Sequence, residues 1–167
     1  KVVTRVLGST GVKVTEVGFG AMNMRDTELV QAALDAGINY FDTAHEYMNG
    51  VNETTVGKVL KPVRNKVFIT TKIVSASSKD MMAMMELSLK RLQTDHVDLL
   101  LLHGLASRDD VMNDRCMKVF DDIRKKGMTR FIGRYAANEA PKYPVATVKF
   151  AQESRRAKYG LMVDSTV

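Results

Sequence analysis

The chain has 167 residues, 45% of them hydrophobic and 26% charged, a composition that is ordinary for a globular protein. No apolar run approaches about 18 residues, which excludes a predicted membrane span, and the N-terminus is too short in apolar length for a signal peptide. The net charge of +6 fits either a solvated surface or attraction for an anionic ligand, and the scattered basic residues argue against a nucleic-acid partner. The single cysteine, Cys116, cannot form an internal disulfide, so we expect a cytoplasmic protein.

Short apolar runs alternate with amphipathic segments along the N-terminal half. Turn residues at 8–11 predict a hairpin over residues 3–14, and residues 14–20 are predicted as the first parallel strand. Asp26 is predicted to cap a helix that ends at Gly37 and buries one apolar face, made of Leu29, Val30, Ala33 and Leu34. A second strand over 38–42, a helix over 53–60 and a third strand over 67–72 follow.

The same alternation continues in the C-terminal half. A helix over 79–92 carries a buried stripe of Met81, Met85, Leu89 and Leu92, and a fully apolar strand over 97–102 comes next. Asp109 and Asp110 are predicted to cap another helix, which ends at Gly127, before a strand over 129–133. A helix over 145–158 and a strand over 161–167 complete the predicted elements.

Repeated β-α alternation predicts an α/β protein with a parallel sheet, either a doubly wound sheet or a (β/α)8 barrel of the TIM type. Gly18-Phe19-Gly20 lacks the third glycine of a dinucleotide-binding fingerprint, which favours the barrel. A whole barrel usually needs about 250 residues. We therefore expect a single barrel domain over residues 1–167 that is incomplete, with a hairpin, about five β-α units, and later strands missing or divergent.

Three predicted strands end on ionisable residues, Asp42, Lys72 and His103, and Tyr47 follows five positions after the first of them. Because the carboxyl ends of parallel barrel strands meet at one rim, we expect these four side chains to converge. An ammonium stabilises a phenolate, a carboxylate orients the ammonium, and a neutral imidazole N–H binds a carbonyl oxygen. Together the four groups would make a general acid for a carbonyl that accepts a hydride from a nicotinamide. The histidines and the cysteine lack ligand spacing, so we expect no metal.

Taken in order, the motifs of this chain resemble those of the aldo-keto reductase family. The resemblance rests on LGSTG at 7–11, GFG at 18–20, NYFDTA at 39–44, FITTK at 68–72, SLKRL at 88–92, VDLL at 97–100 and FIG at 131–133, together with Tyr47 and His103. It implies a (β/α)8 barrel that reduces aldehydes or ketones with NADPH. It also implies that Tyr47 is the general acid, that Asp42 and Lys72 tune it, and that His103 orients the substrate carbonyl.

The resemblance further implies where the cofactor lies. The backbone at Gly20, Ala21 and Met22 and the side chain of Asp42 are expected near the nicotinamide ribose of NADP(H). The expected partner is a small-molecule carbonyl substrate, with no membrane or nucleic acid, and a homo-oligomer is possible.

The sequence departs from the family after residue 133. Arg134-Tyr135-Ala136 stand where the family has a small residue followed by Ser-Asn, which hold the nicotinamide carboxamide. The later strands that grip the pyrophosphate and the 2′-phosphate are not identifiable in the sequence. Either the sequence is part of a longer chain or it is a divergent half-barrel. A non-catalytic half-barrel acting as a binding or regulatory subunit is therefore the alternative function.

Overall fold

The structure, a computed structural model, describes residues 2–103, 114–134 and 146–147. Its strands are β1 (Thr4–Val6), β2 (Lys13–Thr15), β3 (Phe19–Gly20), β4 (Tyr40–Asp42), β5 (Phe68–Val74), β6 (Val97–His103), β7 (Thr129–Arg134) and β8 (Ala146–Thr147). Its α-helices are α1 (Thr27–Asp35), α2 (Val51–Leu60), α3 (Ser78–Leu92) and α4 (Asp114–Lys125). Short 3-10 segments cover Gly8–Thr10, Tyr47–Gly50 and Lys61–Lys66.

The strand order identifies the architecture. β1 and β2 pair as an antiparallel hairpin, and β3 to β8 form one parallel sheet in which every strand lies beside its neighbour in chain order. A doubly wound sheet reverses its strand order at a switch point. The described order never reverses, which is the order of successive strands in a (β/α)8 barrel. The predicted α/β class with a parallel sheet is confirmed.

The two faces of the sheet pack against different partners because successive side chains on a strand point to opposite faces. Ile69, Ile73 and Leu100 belong to a core shared with all four α-helices. Phe68 and Leu99, one position away, belong to a second core shared with the hairpin. Both faces of β5 and β6 are therefore covered, which explains their nearly continuous apolar sequence. We call these the helix face and the hairpin face.

The structure confirms the predicted start and end of the first helix and the predicted buried stripe of the third. The Asp26 carboxylate accepts a hydrogen bond from the backbone N–H of Glu28 at 2.8 Å and begins α1. Gly37 ends this helix region with a φ of +88°, a left-handed conformation that glycine adopts without strain. On α3, the predicted stripe of Met81, Met85, Leu89 and Leu92 is buried in the helix-face core. None of the helices in the described part of the chain is both long and apolar enough to cross a bilayer.

Two predictions in the N-terminal half were wrong. The strand predicted over 14–20 is confined to Phe19–Gly20, because Val14 and Thr15 pair instead with β1 of the hairpin. Leu29 was predicted to be buried, but 53% of its surface is exposed. The buried face of α1 is narrower than the apolar pattern suggests, since it centres on Val30 and Ala33.

Two further boundaries differ from the predictions. β5 continues to Val74, so Lys72 lies within the strand rather than at its end. The helix predicted over 145–158 is wrong at its start, because Ala146 and Thr147 form β8 and pair with the edge of β7. That edge offers unpaired backbone groups, and pairing satisfies them. The predicted cap at Asp109 and Asp110 and the predicted strand over 161–167 lie outside the described residues.

Candidate active site

The hairpin face of the sheet carries the ionisable side chains at its carboxyl end. Asp42 follows buried Tyr40 by two residues on β4, and His103 follows buried Leu101 by two residues on β6. Lys72 follows Thr70 by two residues on β5. Strand alternation thus places all three side chains on one face, above an apolar floor.

The ammonium of Lys72 is the centre of this group. Its Nζ donates to Asp42 Oδ1 at 2.5 Å, to the backbone oxygen of Thr43 at 2.9 Å and to the hydroxyl oxygen of Tyr47 at 3.4 Å. An ammonium has three protons, so each of them has an acceptor. Lys72 is only 5% exposed, and its charge is held by these contacts instead of by water.

Asp42 uses one carboxylate oxygen and leaves the other without a partner. Oδ1 accepts from Lys72, whereas Oδ2 is buried and has no hydrogen-bond partner among the residues that the structure describes. Burial raises the pKa of Asp42 above its ordinary value, and the nearby ammonium of Lys72 opposes that rise. A buried acceptor of this kind fits a hydroxyl donor that comes from a bound ligand.

Tyr47 reaches the same place from the loop that follows β4. Its ring meets the ring of His103 edge to face, with centroids 5.5 Å apart, and Lys72 Nζ lies 5.0 Å from its ring centroid. Directly after it, Met48 and Asn49 have φ values of +53° and +55°, a conformation that costs non-glycine residues about 1–2 kcal/mol each. The structure therefore brings Asp42, Lys72, Tyr47 and His103 together, and a strained turn follows directly after Tyr47.

Glu46 also belongs to this site, although the sequence did not single it out. Its Oε2 lies 2.9 Å from Nδ1 of His103, while its Oε1 is buried and has no partner among the described residues. Partial burial acts to raise the pKa of Glu46, but the hydrogen bond with His103, a backbone hydrogen bond and the charges of His103 and His45 together outweigh burial and leave that pKa lowered. The available signal was its position next to Tyr47 in the motif.

The residues predicted to lie near the cofactor are beside Asp42. Gly20 pairs with Asp42 in the sheet, and the backbone N–H of Ala21 donates to the backbone oxygen of Asp42 at 2.8 Å. Met22 is 57% exposed, and a Cβ added to Gly20 would meet no atom within 4 Å. Gly20 and Met22 are therefore accessible at this strand end, whereas Ala21 between them is fully buried.

Asn52 fixes this strand end, and the sequence analysis missed it. Its amide nitrogen donates to the backbone oxygens of Ala21 and Met24, the latter at 3.1 Å, and its oxygen accepts from the hydroxyl of Thr43. Asn52 is fully buried. It ties the end of β3 to the loop that carries Tyr47.

Comparisons with known proteins identify the family of this chain. The family model described as "Aldo/keto reductase family" matches residues 9–142, which extends past the predicted limit at residue 133. L-galactose dehydrogenase of Arabidopsis thaliana is 32% identical over 154 residues, covering 80% of this chain and 48% of that protein. Methylglyoxal reductase DkgB of Salmonella typhi is 36% identical over 124 residues, covering 70% of this chain and 45% of that protein.

The fold comparison gives the same result. The holo form of the aldo-keto reductase AKR11C1 from Bacillus halodurans superposes with a TM-score of 0.74 at 32% identity, covering 82% of this chain and 51% of that one. The chain spans about half the length of these curated relatives. A family-model match over most of the chain, together with the shared fold, establishes that this chain belongs to the aldo/keto reductase family.

Proposed function

We propose that the protein is an oxidoreductase that reduces aldehydes or ketones to alcohols with a nicotinamide cofactor, and that Tyr47 is its general acid. The observation that carries the proposal is the set of contacts made by Lys72, whose Nζ joins Asp42 Oδ1 at 2.5 Å to the Tyr47 hydroxyl at 3.4 Å. A buried ammonium beside a phenol has a chemical use, since it stabilises the phenolate that remains after proton transfer.

Each side chain has one task in this reaction. The hydroxyl of Tyr47 gives its proton to the carbonyl oxygen as negative charge develops there. Lys72 stabilises the resulting phenolate, and Asp42 keeps Lys72 charged and directed. His103, edge to face with the Tyr47 ring, orients the carbonyl oxygen. The apolar floor beneath these groups excludes water, which strengthens every electrostatic contact above it.

The residues present fit a nicotinamide cofactor. Asp42 Oδ2 is a buried acceptor with no partner in the described part of the chain, so it is suited to a ribose hydroxyl. Gly20 pairs with Asp42 in the sheet and is exposed, as is Met22, and the family resemblance implies that this backbone lies near the nicotinamide ribose. When bound, the cofactor would supply the hydride. We propose NADP(H) on the basis of the family resemblance, and titrations with both NADPH and NADH would test that choice.

The substrate is proposed to be a small carbonyl compound. One relative is named for a sugar, L-galactose, and another for methylglyoxal. These names differ in substrate, so they support the class of small carbonyl compounds and their alcohols rather than one member. The alternative, a non-catalytic subunit, gives no reason for an ammonium that is 5% exposed to lie beside a phenol.

The test is a Tyr47→Phe variant assayed by nicotinamide absorbance with a panel of aldehydes and ketones. We expect kcat to fall by about 10²–10⁴-fold, the usual contribution of a general acid, with cofactor affinity unchanged. Tyr40→Phe is the matched control, because the Tyr40 hydroxyl is buried on the same face but contacts Thr70 instead of Lys72. Full turnover by the Tyr47→Phe variant would refute the assignment. Absence of turnover in the unmodified protein across the panel would favour the non-catalytic alternative.

A further inference from the structure

We propose that Glu46 is a positioning residue that holds a proton on Nδ1 of His103. The ring then offers Nε2 to the pocket as an acceptor when it is neutral, and as a donor only when it is charged. The inference about the ring's proton rests on the geometry of the pair, and its catalytic consequence rests on the proposed function.

The pair has the geometry of a hydrogen bond with one possible direction. Glu46 Oε2 and His103 Nδ1 are 2.9 Å apart, and the side chains are 35% and 28% exposed. An ionised carboxylate accepts hydrogen bonds and has no proton to give. The lowered pKa of Glu46 keeps it ionised near neutral pH. The proton between the two atoms therefore belongs to His103 Nδ1.

Ionisable side chains surround the His103 ring. The ionisable side chains facing His103 from the described elements are Asp42 on β4, Lys72 on β5, and Glu46 and Tyr47 on the loop after β4. His45 acts on Glu46 from the same loop. With both carboxylates ionised and Lys72 charged, these groups carry one net negative charge.

This result changes the role predicted from the sequence. A neutral histidine that donates to the carbonyl would need its proton on Nε2, with Nδ1 free to accept. The Glu46 carboxylate excludes that tautomer, so the donor to a carbonyl oxygen is the imidazolium. During reduction the hydride forms the new C–H bond, the C=O π bond breaks onto oxygen, and that oxygen takes its proton from Tyr47. His103 keeps both of its protons throughout.

The charged ring has the same task in both directions of the reaction. A carbonyl oxygen has only lone pairs and accepts from the Nε2–H of the charged ring. In the reverse direction the alcohol oxygen accepts from the same Nε2–H, while its own proton goes to the Tyr47 phenolate. Loss of the Nε2 proton removes this donor, so KM for a carbonyl substrate should rise with pH.

The first test is ¹⁵N NMR of the protein labelled at histidine, with the three histidines assigned through His45→Gln, His96→Gln and His103→Asn variants. Above the pH at which His103 loses its charge, we expect a protonated Nδ1 and a bare Nε2. Glu46→Leu should shift the ring to the Nε2–H tautomer that free histidine favours, and Glu46→Asp should restore Nδ1–H. A neutral His103 with Nε2–H in the unmodified protein would overturn the proposal without any variant.

The second test compares the pH profile of KM for a carbonyl substrate in two variants. Glu46→Leu should weaken the rise of KM with pH, because its neutral ring can carry the proton on Nε2, while Glu28→Leu, which removes an exposed carboxylate on α1, should leave that rise in place. A rise that persists unchanged in Glu46→Leu would overturn the proposal. The NMR measurement needs no turnover. An Nδ1–H ring in a protein without reductase activity would therefore refute the proposed function and still support the pairing of Glu46 with His103.

Discussion

Replacing Lys72 by Met tests whether the buried charge of Asp42 depends on its ion pair with Lys72 for stability. Met keeps much of the length of the lysine stem but removes the ammonium. Asp42 then remains as a carboxylate whose side chain is 15% exposed, with its nearest cation gone. We expect a large loss of stability together with the loss of activity that follows from an unsupported Tyr47.

The size of the stability loss follows from two opposing quantities. At an effective dielectric constant of about 20, two unit charges 2.5 Å apart attract by about 7 kcal/mol. Desolvating each ion costs several kcal/mol, which offsets most of that attraction in the intact pair. Removing one partner leaves the cost of the other, so we expect the free energy of unfolding to fall by about 3–5 kcal/mol near neutral pH.

The sign of the pH dependence can be derived from Asp42. Burial raises its folded-state pKa above the unfolded value, so the native state binds the proton more readily, and stability falls as pH rises through the folded pKa. Without Lys72, which opposes the rise, the pKa of Asp42 rises further. The difference in stability between Lys72→Met and the unmodified protein should therefore narrow as the pH falls from neutral through the range in which Asp42 takes up its proton.

Urea unfolding followed by circular dichroism across that pH range would measure both effects. The matched control is the double variant Asp42→Asn/Lys72→Met, which has no buried charge left at this pair. It should be more stable than Lys72→Met near neutral pH. Because it has no carboxylate at position 42, titration of that group should not change its stability. A double variant that is less stable than the single one, or a gap in Lys72→Met that stays constant with pH, would refute the reasoning.

Two stability predictions concern the packing of the helices and the base of the sheet. Gly57→Ala should lower the free energy of unfolding by about 1–3 kcal/mol, because its Cβ would lie 2.6 Å from the backbone of α3, whereas Gly20→Ala meets nothing within 4 Å and should change it little. Asp98→Ala should lower the free energy of unfolding by about 3–5 kcal/mol, because it removes the buried acceptor that Arg64 contacts at 2.8 Å. Its control is Asp95→Ala, which removes a carboxylate whose side chain is 93% exposed. Equal losses within either pair, measured by urea unfolding, would contradict these assignments.

Two local patterns predicted the sheet and the convergence of the side chains: the alternation of strands with helices, and ionisable residues at the ends of apolar runs. In the structure Asp42 lies on the face of Tyr40, and His103 lies on the face of Leu101, so polar strand ends above a buried apolar row meet at one rim. The apolar run over 97–102 without alternation also agreed with a parallel sheet that is covered on both faces. Local patterns of this kind are visible in a single chain.

Contacts that cross between distant segments were not visible in the same way. Glu46 looked like an exposed loop residue until the fold brought it to His103, 57 positions later. Asn52 was predicted to lie in a loop before a helix, yet its amide donates to the backbone of Ala21, 31 positions earlier. No local pattern distinguishes such polar residues from ordinary surface residues. The helix predicted from residue 145 failed for a related reason, since the pairing of Ala146 depends on the edge of β7.

A second polar group lies on the helix face of β5, behind the active site. The hydroxyl of Thr71 donates to Glu53 Oε1 at 2.7 Å, and Arg91 Nη1 donates to Glu53 Oε2 at 3.4 Å and to the backbone oxygen of His45 at 3.0 Å. Glu53 is fully buried. Arg91 therefore holds the loop from the helix face, at His45, two residues before Tyr47. Lys72 contacts the same loop from the hairpin face.

This arrangement predicts that Arg91 acts on the position of Tyr47. Arg91→Met should lower kcat by about 10²-fold, because a displacement of about 1 Å at the reacting group has that effect, while cofactor affinity remains close to normal. Arg124→Met, which removes an exposed arginine of α4 paired with Asp121, is the control and should leave kcat unchanged. If Arg91→Met loses stability but keeps its kcat at temperatures where it is folded, the group supports the fold and does not position the acid. A fall in kcat that is matched by an equal fall in cofactor affinity would instead mean that the loop had collapsed into the cofactor site.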